Sequence, residues 1–220
     1  MPIFNKLSLA QQVEHALRTE ITEGRVRPGQ RISINDYQES WSISATPFRD
    51  AVRTLEMQGF LTIEPRKSVH VAPMTAQTFR EIFDIRIALE CMAIELATSW
   101  VPQDIANAAL AICREAALRL KAGDMDFVRE NDRIVHDLAM EHCGNSRLQR
   151  LLGDQLDLVR WAQNTIIQDM PSSYEMAVPE HIRILDAVCG RDPALASREM
   201  RIHLEGARGR HDAWLVSNSR

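Results

Sequence analysis

Residues 42–53 read Ser42-Ile43-Ser44-Ala45-Thr46-Pro47-Phe48-Arg49-Asp50-Ala51-Val52-Arg53, and this stretch decides the reading of the N-terminal third. Phe48, Val52 and Leu55 recur at helical spacing and give one apolar face. Ala45, Arg49 and Arg53 recur four apart on the opposite face. Two arginines one turn apart repel by roughly 0.2–0.5 kcal/mol on an isolated helix. That sign is wrong for stability and right for an anionic partner. Pro47 fits the first turn, where a backbone N–H has no intrahelical acceptor to lose.

The flanking sequence supplies a framework. Leu9, Val13, Leu17 and Ile21 are spaced by four, which predicts a first amphipathic helix over 7–23. It stops at Gly24, and Pro28-Gly29 makes a turn. A short helix is expected around Ile34–Trp41. After Gly59, two β-like runs, Phe60–Glu64 and Ser68–Ala72, flank Pro65-Arg66-Lys67. Three helices and a two-stranded basic-tipped hairpin make a winged helix-turn-helix. A basic helix alone would equally suit a solvated face; the surrounding framework favours DNA.

Here the chain resembles the GntR family of bacterial transcription regulators. Ile21, Gly24-Arg25, Pro28-Gly29, Ile43-Ser44, Thr46-Pro47, Arg49, Ala51, Leu55-Glu56 and Gly59-Phe60-Leu61 carry the resemblance. It implies DNA contacts at Ser44, Ala45, Thr46, Arg49 and Arg53, and at the wing-tip residues Arg66 and Lys67. The chain departs from the family pattern twice. Ala45 stands where arginine is usual, and Arg66-Lys67-Ser68 replaces the wing-tip glycines. Both changes bear on which operator sequence is read.

The 220 residues suffice for two modest domains, and a 45% hydrophobic content is that of an ordinary globular chain. The net charge of −4 argues against nucleic-acid binding by the whole surface. Residues 1–73 hold nine Lys/Arg and eight Asp/Glu, so this head is one charge positive and the rest five negative. Cys91, Cys113, Cys143 and Cys189 form no CxxC pair and read as reduced, buried residues. No apolar run of about eighteen residues suggests a membrane span, and no signal-peptide core is visible. A cytoplasmic location is expected.

Pro73-Met74-Thr75 reads as a linker, dividing the chain into 1–73 and 74–220. Beyond it everything reads as helix, so the expected fold is mostly α: a winged helix followed by an all-α bundle. Six helices are expected, near Ala76–Trp100, Pro102–Ala122, Asp124–Cys143, Ser146–Asp169, Ser173–Cys189 and Pro193–Val216. Gly123, Gly144 and Gly190 serve as stops.

Their inner faces carry polar residues. Asp132 and His136 share a face with Val128, Val135 and Ala139; His181 aligns with Leu185 and Val188; His203 aligns with Ala196, Met200 and Ala207. Burying one polar group without a partner costs roughly 2–7 kcal/mol. A divalent cation would satisfy all four groups, zinc first, with nickel, iron or manganese as alternatives. A hydrogen-bonded core network would satisfy them too, and Asp132 with His136 would serve as a buried ion pair.

These segments are similar to the FCD branch of the GntR family. The similarity rests on Asn131-Asp132-Arg133-Ile134-Val135-His136, Gly144-Asn145 and Leu148. It continues in Glu180-His181-Ile182-Arg183-Ile184-Leu185-Asp186-Ala187, Gly190, Asp192, Ala196, Met200-Arg201-Ile202-His203-Leu204, Phe83-Asp84-Ile85-Arg86 and Leu89-Glu90. The resemblance implies that Asp132, His136, His181 and His203 hold a metal, and that a six-helix bundle binds an effector. Arg86 shares a face with Ile82, Phe83 and Leu89 and offers a planar fork for a carboxylate, or else a partner for Glu90. Arg160 and Asn164, one turn apart, are expected to line the same cavity. His15, His70, His142 and His211 fall outside the pattern.

The expectation is a regulator, not an enzyme: a homodimer on a palindromic double-stranded operator, responding to a small organic acid. Effector binding would shift the recognition helices relative to the DNA repeat of about 34–36 Å. A metal-sensing repressor without an organic effector is one alternative. A metallohydrolase fused to a DNA-binding head is another, though no HExxH motif is present.

Overall fold

Ser8 begins the first helix by accepting the Gln11 N–H at 3.2 Å while Gln11 Oε1 accepts the Ser8 N–H at 2.8 Å, a reciprocal cap. The computed structural model describes residues 7–64, 68–166 and 172–218. Its elements are α1 (Leu9–Thr22), β1 (Arg31–Ile32), α2 (Ile34–Trp41), α3 (Ala45–Met57), β2 (Leu61–Glu64), β3 (Ser68–Val71), α4 (Ala76–Trp100) and α5 (Gln103–Lys121). There follow α6 (Met125–Asn131), α7 (Ile134–His142), α8 (Ser146–Ile166), α9 (Ser172–Cys189) and α10 (Pro193–Asn218). The protein is mostly α: an N-terminal winged helix and a C-terminal helical bundle.

The chain divides into two compact units. One comprises the residues up to Met74 together with Asp157–Thr165; the other comprises Thr75–Leu156 and the residues from Ile166 onward. The first unit thus ends at Met74, one residue past the expected 73/74 cut, and also takes in the segment 157–165. That segment lies with the winged helix because Trp161 is buried against Phe60, ring centroids 5.8 Å apart, and Asp157 pairs with Arg18 at 3.0 Å.

The first unit packs Val13, Leu17 and Ile21 of α1 against Phe48, Val52 and Leu55 of α3. Tyr37, Trp41 and Phe48 form an aromatic trio that joins α2 to α3, with centroid separations of 4.8–6.4 Å. The Tyr37 hydroxyl donates to Glu20 at 2.6 Å and ties α2 to α1. The turn between α2 and α3 runs through Ser42, at φ +54°. The sheet has three strands, ordered β1-β3-β2, where two were expected. Strand β1 pairs antiparallel with β3, Ile32 opposite Val69. Two residues are too short to show periodicity, and what holds them is burial of Ile32 in the core.

In the second unit, Ile87, Ile94 and Ala97 of α4, Leu110 of α5, Val135 and Leu138 of α7, Ile184 and Leu185 of α9, and Met200 and Leu204 of α10 share one core. Seven helices are present among the described residues, because the expected helix over 124–143 is broken. The Asn131 side chain donates to the Phe127 carbonyl at 2.9 Å, competing with the backbone ladder, and Asp132 N–H turns back to Arg129. Helix α6 therefore stops and α7 restarts two residues on. At the end of α9 the left-handed residue is Arg191 (φ +57°), not Gly190, and its guanidinium donates to the Thr98 carbonyl at 2.8 Å.

Candidate functional site

Two surfaces of different chemistry emerge, one in each unit. On α3, Phe48, Ala51, Val52 and Leu55 point inward, which leaves Thr46, Arg49 and Arg53 exposed. Among the described residues, neither Arg49 nor Arg53 has an ion-pair partner. Ser44 is the exposed N-cap of α3 and makes no side-chain cap bond. Ala45, half-buried, adds only a methyl group beside it. Arg66 and Lys67 lie outside the described residues.

In the helical unit, α7, α9 and α10 bring His136, His181 and His203 together. One ring nitrogen from each lies within 4.8 Å of the others, and all three side chains are buried. The Nε2 atoms of His181 and His203 are 3.3 Å apart. His136 stands 5.4 and 5.3 Å, centroid to centroid, from His181 and His203. Burial pushes the pKa values of His181 and His203 well below 6.5, with the neighbouring imidazoles and Arg86 adding to the effect. Both rings are neutral at pH 7, the form in which imidazole binds metal.

Carboxylates close the cluster from outside. Glu180 accepts from His203 Nδ1 at 2.8 Å, and Glu90 pairs with His136 Nδ1. Burial alone would raise the pKa of Glu90, but Arg86 and His136 outweigh it and hold the carboxyl at about 2. Arg86 pairs with Glu90 through Nε and lies 3.2 Å from His136 Nε2 through Nη2. Its guanidinium also stands 5.2 Å from the Phe83 ring centroid.

His181 and His203 fit a divalent cation, and His136 joins them where its Nε2 exchanges the Arg86 contact for the metal. For metal–nitrogen bonds of about 2.0–2.1 Å, a tetrahedron has an edge of about 3.3–3.4 Å. The His181–His203 separation matches that edge. Ligating histidines also ordinarily donate their other nitrogen to a carboxylate, as His203 does here.

Asp132 lies outside this group. The break between α6 and α7 removes it from the helix that carries His136, so they are no longer one turn apart on one helical face. Burial raises its carboxyl pKa, against the pull of His136, Arg86 and Arg133. Arg160 and Asn164 do not line the cluster. Both belong to the segment that packs with the winged helix, where Asn164 donates to the Thr22 carbonyl at 2.7 Å and Arg160 faces Asp157 at 3.6 Å.

Glu180 and Arg210 went unread in the sequence. Arg210 lies seven residues after His203, on the same face of α10, so helical periodicity contained the signal. Glu180 meets His203 across 23 positions, and no spacing reveals such a pair.

A winged helix with unpaired arginines on its third helix, joined to an all-α unit with a buried polar centre, defines a DNA-binding transcription regulator. Residues 9–71 match the family model "Bacterial regulatory proteins, gntR family", and residues 81–206, more than half of the chain, match that of the FCD domain. The chain belongs to the GntR family and carries an FCD domain.

It is 25% identical over 214 residues to the HTH-type transcriptional regulator BphR of Paraburkholderia xenovorans, covering 94% of this chain and 86% of that one. To the Escherichia coli HTH-type transcriptional repressor GlaR it is 25% identical over 201 residues, covering 86% and 89%. Among solved structures, a GntR transcriptional regulator from Rhodococcus sp. RHA1 superposes with a TM-score of 0.75 at 21% identity, covering 97% of this chain and all of that one. Escherichia coli McbR/YncC does so with 0.71 at 19%, covering 98% and 100%. The family and the two sequence relatives are named as transcription regulators, which disfavours the metallohydrolase alternative.

Proposed function

We propose that this regulator is a metal-dependent, ligand-responsive repressor that binds a palindromic operator as a homodimer. The observation that carries the proposal is the approach of three buried imidazoles from three helices, with His181 and His203 nitrogen to nitrogen at 3.3 Å. His136, His181 and His203 would hold the cation, and Asp132, a desolvated carboxyl beside His136, is the candidate fourth ligand. Zinc suits a set rich in imidazole; nickel, iron and manganese are the alternatives to test.

A cation there supplies a Lewis-acid anchor for the oxygens of a small organic acid. Arg86 engages Glu90 through Nε and His136 through Nη2, and among the described residues Nη1 has no hydrogen-bond partner, which offers it to an effector carboxylate. A monomer presents one recognition helix and falls short of specific affinity at physiological salt, which is why a dimer of twice the 25.0 kDa chain is expected. Repressor action is proposed by analogy with GlaR, which bears that name.

The test is operator binding with and without chelator, followed by a titration of sugar acids, hydroxy acids and dicarboxylates. Loss of the acid response in chelated protein supports the proposal. A response to metal alone, with no acid shifting it, identifies the metal as the signal instead. Operator binding that neither chelator nor any acid alters would overturn both.

A further inference from the structure

Glu180 is buried between α9 and α10 and has both oxygens engaged. Oε2 receives His203 Nδ1 at 2.8 Å, while Arg210 reaches Oε1 through Nη1 and Oε2 through Nη2, both at 3.2 Å. A two-pronged guanidinium fixes the plane of a carboxylate as one ammonium donor would not. The fork needs space that α10 provides one turn earlier. A Cβ at Gly206 would fall 3.1 Å from Arg210 Nη1 and 3.6 Å from Glu180 Oε1.

A carboxylate only accepts hydrogen bonds, so His203 Nδ1 must carry the ring's proton. The lone pair is then left on Nε2, the atom that faces His181 at 3.3 Å. Glu90 stands in the same relation to His136 Nδ1, from α4.

We propose that Glu180, held by Arg210, is the positioning residue of the imidazole cluster: it sets the tautomer of His203 so that Nε2 is the metal donor. The proposal rests on the metal reading given above. It assigns Glu180 a role on the ring and not in the core. A purely structural Glu180 would contribute stability without choosing which nitrogen is protonated.

The experiment has two arms on the full-length protein. In the first, long-range proton–nitrogen NMR of histidine-labelled, chelated protein reports the tautomer of each ring. Wild type and Glu180→Gln should show His203 protonated at Nδ1, because an amide oxygen oriented by Arg210 still accepts. Glu180→Ala should show the Nε2-protonated form or a mixture. In the second, cobalt(II) and zinc titrations should show Glu180→Ala binding about 10- to 100-fold more weakly than wild type. Glu180→Gln should lose less and keep the wild-type cobalt absorption envelope. Arg210→Met keeps the carboxylate but frees its plane, and serves if Glu180→Ala does not fold; a mixed tautomer and weakened binding are expected.

Glu180→Ala or Arg210→Met with the wild-type tautomer and wild-type affinity overturns the positioning role while leaving the metal site standing. Wild type that binds neither ion, or a His203→Ala variant that binds as tightly as wild type, overturns the metal reading and this role with it.

Discussion

His181 and His203 meet through their Nε2 atoms at 3.3 Å in a buried polar cluster set within an aliphatic core. Two neutral rings share that line in one of two ways. His181 donates an Nε2–H to the lone pair of His203, or both nitrogens give lone pairs to one cation. The carboxylate behind His203 is compatible with both, so the same side chains form a satisfied network without metal and a ligand set with it.

The metal prediction follows. Purified wild type should carry about one equivalent of divalent metal, and His181→Ala or His203→Ala should lose it while operator binding persists. Elemental analysis checks this; wild type that stays metal-free when supplied with zinc, nickel and manganese leaves only the hydrogen-bonded network. Because burial lowers the pKa of His181 and His203 well below 6.5, protons compete for these two rings only well below that pH.

His211 gives a separate pH test. Its ring is 2% exposed, packs edge-on against Phe79 and Phe83, and neither nitrogen has a hydrogen-bond partner among the described residues. Burial, then Arg210 and Arg86, lowers its pKa to about 4. The unfolded chain takes up this proton near 6.5 and the folded protein near 4, so its contribution is intact above 6.5 and declines as pH falls toward 4. The slope is about 1.4 kcal/mol per pH unit for one proton. His211→Phe should remove one proton from the pH dependence of urea unfolding in that window. An unchanged slope would place the uptake elsewhere.

Arg49→Ala should cost about 1–3 kcal/mol of operator binding, and Arg53→Ala a similar or smaller amount, with melting temperature unchanged. Both side chains are exposed and have no ion-pair partner among the described residues, so the fold does not lean on them. Fluorescence anisotropy against the operator measures the loss; wild-type affinity in Arg49→Ala would mean another surface reads the DNA.

Trp161→Ala should destabilise the winged helix by about 3–5 kcal/mol although it lies far outside residues 9–71. The indole is 1% exposed and packs in the cluster that holds Phe60 and Leu17. Limited proteolysis should show cleavage within α1–α3 while the helical unit resists. Equal resistance of both units would contradict the assignment of segment 157–165.

What could be read from residues alone follows a physical division. The α3 face was legible because burial of Phe48, Val52 and Leu55 imposes a 3.6-residue period on the sequence. His136, His181 and His203 stood out because each interrupts an aliphatic row. Periodicity puts Arg160 and Asn164 on one face of α8, but not which unit that face meets, and α8 supplies residues to both. Nor does it register a side chain that intrudes on a helical ladder, as Asn131 does before Asp132.

Gly206 sits inside α10, where glycine costs about 1 kcal/mol relative to alanine. Gly206→Ala would recover that cost only where the Arg210 side chain gives way by a few tenths of an ångström. The added methyl would press on the guanidinium fork that steadies Glu180. Under the positioning role proposed for Glu180, a selection for heat resistance that fixed this alanine would trade metal affinity for sturdiness, and assays of folding alone would score the trade as an improvement.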